Sequence, residues 1–114
     1  MSRTETDRLR HMRDAAQAAV TFAAGKARAD LESDVMLQFA LVRALEIIGE
    51  ASARLTEATR VAHAEIPWVN IIGMRNRLAH GYFDVDLDIV WNTVTNHLPP
   101  LIEILDRLLD PGTL

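Results

Sequence analysis

An all-α, antiparallel up-and-down bundle of four helices with one short extra helix is the fold this sequence predicts, and three observations predict it. Apolar residues recur at helical spacing through four segments, no alternating strand pattern or hairpin dipeptide interrupts them, and 49% of the 114 residues are apolar. That apolar share can fill one core without disulfides or metal, so a single domain over 1–114 is expected.

Ser2-Arg3-Thr4-Glu5 has the form of a capping box, and Leu9, Met12, Ala16, Ala19 and Val20 follow at helical spacing. The first helix is therefore placed at 4–24, with Gly25 offering a left-handed stop. A polar stretch, KARADLESD, leads to the most strongly periodic segment, 33–55, which carries Val35, Met36, Phe39, Leu45, Ile48 and Leu55. Residues 56–64 suit one or two helical turns before Ile66-Pro67 resets the backbone. Pro67 fits the first position of a third helix that ends naturally at Gly81. Gly73 lies inside it, where glycine costs ~1 kcal/mol relative to alanine, and close approach of another helix would compensate. Asp84, Asp86 and Asp88 place negative charge at the start of a fourth helix over 85–109. Pro99-Pro100 falls in the middle of that segment and predicts a kink or two shorter helices.

Composition narrows the function. The chain has no cysteine, which excludes thiolate chemistry and fits a reducing, cytoplasmic address. No apolar run approaches a membrane span, and the charged N-terminus lacks the apolar stretch of a secretory signal. A net charge of −4 argues against broad electrostatic adhesion to nucleic acid, and the sparse aromatics offer no run for stacking successive bases. Contact with RNA must then be local.

The chain's best phosphate-handling side chains gather in RNRLAHGY at 75–82, at the end of the third helix. At ~100° per residue, Asn76 and His80 share a face, Arg77 is adjacent, and Arg75 lies well around the cylinder. Residue by residue, these groups also suit ordinary structural roles. Glu46 and Glu50 are better explained as ion pairs with Arg43 or Arg54 than as a metal site or an acid–base pair, with a role in orienting Arg75 also open. The three aspartates lack the glycine and distal glutamate of a calcium loop. His11, His63 and His97 have no ligand partners at metal spacing, and Trp68 and Trp91 fit core or dimer packing. No metal or cofactor is expected.

Arg75-Asn76-x-x-x-His80-x-Tyr82 resembles the R-x4-H-x-Y signature of the HEPN superfamily, and more closely the HepT toxins of HepT/MntA toxin–antitoxin systems. DRLRHM at 7–12, ALVRALEIIGEA at 40–51 and the run from 65 to 94 extend the likeness over nearly the whole chain. The resemblance implies an HEPN-like bundle and a metal-independent endoribonuclease whose site forms where the protomers of a homodimer meet. It implies Arg75 and His80 as catalytic residues, Asn76 as their polar support, and Tyr82 as the tyrosine that an MntA-like antitoxin nucleotidyltransferase modifies with AMP. Arg77 matches no fixed position of the motif and is a candidate for RNA contact. The rival reading is a catalytically idle helical module that uses the same octapeptide to dock a nucleotidyltransferase or a nucleotide.

Overall fold

The computed structural model describes residues 1–78 and 85–110, with the side chain of Arg75 outside that description. Among the described residues every regular element is helical: α1 (Arg3–Ala23), α2 (Arg28–Ser33), α3 (Val35–Arg54), α4 (Glu57–Ala62), α5 (Trp68–Leu78), α6 (Leu87–Asn92), a π-helical turn at Thr93–His97, and α7 (Leu98–Leu109). The all-α expectation holds. No helix among these residues is long and apolar enough to cross a membrane.

The core is assembled where α1 lies against α3 and α7, and α5 lies against the other side of α3. Leu9, Met12, Ala16 and Ala19 supply the α1 stripe; Leu41, Leu45 and Ile48 supply that of α3; Leu98, Leu101 and Leu105 supply that of α7. Small residues on α1 allow its axis to approach α3 closely, and Leu31, Val90 and Val94 close the end formed by α2 and α6.

Two sequence features resolve in more detail than the simplest expectation. The polar stretch after Gly25 forms a further short helix, α2, because Asp30 accepts from the backbone N–H of Ala27 at 2.7 Å and Leu31 is fully buried. Gly25 itself stops α1 as expected, at φ 75°. The proline pair goes with two shorter α-helices, one of the two outcomes expected, and a π-helical turn joins them. Pro99 and Pro100 occupy the first turn of α7, where missing N–H groups matter least, and the preceding turn widens so that the N–H of Leu98 donates to the carbonyl of Thr93 five residues back. The hydroxyls of Thr93 and Thr95 donate to the carbonyls of Ile89 and Trp91, at 2.7 and 2.8 Å, on the same stretch. The wider turn relieves crowding by the proline rings while the chain stays helical.

The start of α1 closes only half of its capping box. Ser2 Oγ accepts from the Glu5 N–H at 3.1 Å, but the Glu5 carboxylate turns away to the far end of α3. There Oε1 accepts from the Thr56 N–H at 2.7 Å and the Thr59 hydroxyl at 2.8 Å, and Oε2 pairs with Arg8 at 3.2 Å. Arg8 also donates to the carbonyl of Arg54 at 2.7 Å, and Arg60 donates to that of Leu55 at 2.9 Å, so two guanidinium groups meet the last carbonyls of α3. Glu5 is 5% exposed, and its donors, first the backbone N–H of Thr56, hold its carboxyl at about 2, well below the usual glutamate value.

Candidate functional site

The helix on which the octapeptide begins is placed by one stripe of apolar side chains and one indole. Trp68 and Leu78 are buried, Ile71 and Met74 are half-buried between them, and this side of α5 packs on α3. The Trp68 indole N–H donates to the carbonyls of Arg60 and His63, at 2.9 and 3.0 Å, which ties the start of α5 to the end of α4. Pro67 stands one position before α5 rather than inside it, and its carbonyl accepts from the Ile71 N–H at 3.1 Å. By register, position 75 falls on the side of the helix that also carries Trp68 and Ile71.

The opposite face of α5 is open. Val69, Asn70, Asn76 and Arg77 are all exposed. Val69 and Asn76 are seven residues apart, as are Asn70 and Arg77, so each pair lines up along the helix axis. Between them sits Gly73, and a Cβ placed there would meet nothing within 4 Å. The expected close approach of another helix to Gly73 is therefore not made by the described residues of this chain: α3 packs on the Trp68–Leu78 side, and the glycine faces away from it.

Beside the first turn of α5, the surface sinks into an open groove of about 510 Å³. Val61, Ala64, Ile66, Pro67 and Val69 give it apolar walls, and Glu57, Arg60 and Asn70 add polar groups. Sequence reasoning passed over it, since its walls come from α4, the 63–67 connection and α5 together. The available signal was Val69, an apolar residue on the polar side of its helix.

Of the expected site residues, the structure places Asn76 and Arg77 side by side in solvent on the last turn of α5. Arg77 makes no ion pair among the described residues. Arg75 belongs to the same helix, while His80 and Tyr82 lie outside the described residues. Asp84 also lies outside them, and the chain beyond is fixed by its two fellow aspartates. Asp86 caps α6 by accepting from the N–H groups of Asp88 and Ile89, at 3.0 and 3.3 Å. Asp88 receives the Arg28 guanidinium at 2.8 Å, and Arg28 holds Glu32 at 3.0 Å. The reading of Asp86 and Asp88 as helix-start charges is borne out.

The carboxylate pair on α3 is likewise structural in its visible partners. Arg43 stands 3.3 Å from Glu46 and 3.7 Å from Glu50, as expected from their spacing. No group of three or more metal-ligating side chains occurs among the described residues. His97 Nε2 lies 3.3 Å from the Asn92 amide across the π turn.

Comparison with known proteins adds to this geometry. The family model described as "Ribonuclease HepT-like" matches residues 12–108. A protein of Thermococcus cleftensis named "Probable ribonuclease HepT" is 39% identical over 108 residues, covering 95% of this chain and 98% of the relative. A protein of Caldanaerobacter subterraneus subsp. tengcongensis, provisionally named as an RNase, is 41% identical over 80 residues, covering 70% of this chain and 71% of the relative. One relative in Methanocaldococcus jannaschii joins a provisional RNase to a gamma-glutamylcyclotransferase; it is 31% identical over 102 residues, covering 90% of this chain and 46% of the longer protein. No solved structure matches the chain significantly.

Proposed function

This chain belongs to the ribonuclease HepT-like family, and from that premise we propose that it is a metal-independent endoribonuclease acting as the toxin of a toxin–antitoxin pair. The observation that carries the reading is the run of Arg75, Asn76, His80 and Tyr82 at the end of α5, in a chain matched by the family model across 12–108.

The chemistry asks for few groups. Cleavage without metal takes the proton from a ribose 2′-OH, drives O2′ onto the adjacent phosphorus, and returns a proton to the departing 5′-oxygen. The strand then ends in a cyclic phosphate and a free 5′-hydroxyl. Histidine serves as base when neutral and as acid when charged, and arginine supplies a permanent, forked cation for the phosphorane. One imidazole cannot hold both states at once. A homodimer with a two-fold interface supplies a second His80, and Arg75 enters the shared cleft from beside the face that carries Asn76. Asn76 supports the site with its amide, and exposed Arg77 contacts RNA.

Control follows from position. Tyr82 is two residues beyond His80, so AMP transferred to its hydroxyl by an MntA-like nucleotidyltransferase sets bulk and a negative phosphate beside the catalytic imidazole. RNA is then excluded by shape and by charge. The enzyme works in the cytoplasm, where RNA and the antitoxin are at hand.

Purified protein and its His80→Ala variant, incubated with RNA in the presence of a chelator, test the reading. Cleavage by the wild type alone is expected. Equal cleavage by both, or a requirement for added divalent metal, overturns it, and equal growth arrest by both in cells favours an idle docking module. Intact mass after co-production with the nucleotidyltransferase is expected to rise by AMP in wild type and not in Tyr82→Phe.

A further inference from the structure

The groove beside α4 lies on the same face of α5 as Asn76 and Arg77. Val69 and Asn70, which form its edge, are seven residues before Asn76 and Arg77, about 10 Å along the helix at the α-helical rise and three nucleotides at the rise of a stacked strand. Among the described residues nothing covers Gly73 between them: it has no side chain, and no neighbour comes within 4 Å of a Cβ placed there. At the rim of the groove, Val61 and Val69 are 70% and 85% exposed, two neighbouring apolar side chains that an apolar ligand would cover. Asn70 adds an exposed amide that can donate and accept, as the edge of a base requires. Glu57 and Arg60 border the same space, whereas the centre of a protein interface is depleted in charge. A flat apolar ring with polar edges fits these walls, and exposed Arg77 at the other end of the track fits its phosphate backbone.

We infer that the groove between α4 and the first turn of α5, lined by Val61, Ile66, Pro67, Val69 and Asn70, binds one nucleobase of the RNA strand, a few nucleotides from the cut. The inference rests on the ribonuclease reading above and adds a substrate subsite to it. The base presses its faces on the valines and Pro67, the Asn70 amide meets its edge, and the strand runs over Gly73 to Arg77. The subsite explains how an acidic chain without a stacking platform holds RNA: contact is concentrated in one base pocket and a short cationic end.

The test is steady-state cleavage of a synthetic RNA with a single cut, by wild type, Val61→Asp, Asn70→Ala and Ala58→Asp, together with the same RNA carrying one abasic nucleotide at successive positions. Val61 is exposed, so its replacement leaves the fold intact; Ala58 is exposed on α4 without lining the groove and controls for added charge. The expected result is a KM raised about tenfold in Val61→Asp and raised less in Asn70→Ala, with kcat and the Ala58→Asp variant unchanged. One abasic position produces the same loss in wild type and no further loss in Val61→Asp. An unchanged KM in Val61→Asp with active wild type overturns the subsite alone. A Val61→Asp protein whose sedimentation shows weakened self-association also overturns it, because the groove is then covered by a second copy. Wild type that cuts no better than His80→Ala overturns the parent reading and the subsite with it.

Discussion

Two neighbouring regions, the surroundings of Glu5 and the outer face of α5, use polar side chains in opposite ways. Around Glu5, a buried carboxylate receives Thr56, Thr59 and Arg8, the hydroxyl of fully buried Ser52 donates to the Ile48 carbonyl at 2.7 Å, and Arg8 and Arg60 close the last carbonyls of the helix. Along the outer face of α5, Asn70, Asn76 and Arg77 reach into solvent, two valines near its start are exposed, and a helical glycine has no helix against it. The first region spends its polar groups on its own fold, where an unmet donor would cost 1–3 kcal/mol or so. The second keeps them available, which is what a binding surface requires.

The contrast is broken or sharpened by substitutions on each side. The largest effect is expected at the octapeptide: Arg75→Ala and His80→Ala each lower RNA cleavage at least about a hundredfold, with urea midpoints unchanged. If either variant unfolds instead, the octapeptide belongs with the Glu5 kind of region. Next comes Glu5→Ala, which removes the acceptor of the part-buried Thr56 N–H and of the buried Thr59 hydroxyl; a loss of about 1–3 kcal/mol is expected from urea unfolding, with kcat untouched in the folded protein.

The same carboxylate sets a pH dependence. Its folded-state value, about 2, lies below the ordinary 4.5, so the unfolded chain binds the proton more readily. Its contribution is complete above about 4.5 and is lost as pH falls from there toward 2. Unfolding titrations over that window are expected to slope downward with acid in wild type and to flatten in Glu5→Gln. A smaller effect is expected at Gly73→Ala, which raises the melting temperature by the equivalent of ~1 kcal/mol, since the added methyl meets nothing in the chain. A lowered melting temperature that depends on protein concentration would instead show a second copy packed on that face. The smallest is Arg28→Ala: its partners Asp88 and Glu32 are exposed and solvent screens such pairs, so the urea midpoint is expected to stay close to that of the wild type.

Much of this was legible beforehand because it depends on near neighbours. The stripe from Leu9 to Ala19, the left-handed Gly25, the Arg43 pairs with Glu46 and Glu50, and the cap at Asp86 all follow from spacings of a turn or two. Glu5 was read as a local cap from the same kind of spacing, and its partners proved to be 51 and 54 residues away. The proline pair marked the right place in the last helix, but its resolution as a π turn depends on how the carbonyls of the preceding turn rearrange. At the site, the spacing set Arg77 beside Asn76 and both are exposed, whereas the groove that continues that surface needed α4 and α5 to be brought together.

The sequence by itself determined that the chain is helical, where most helices begin and stop, and which short run holds the groups for handling phosphate, because periodicity, capping and side-chain chemistry act within a few residues. Only the tertiary structure decided that Glu5 serves α3 and α4 rather than its own helix, that Trp68 locks α5 to α4, and that Gly73 looks outward over an open track. Those outcomes depend on which surfaces meet across tens of residues, and burial and hydrogen bonding at such meetings are properties of the packed helices together.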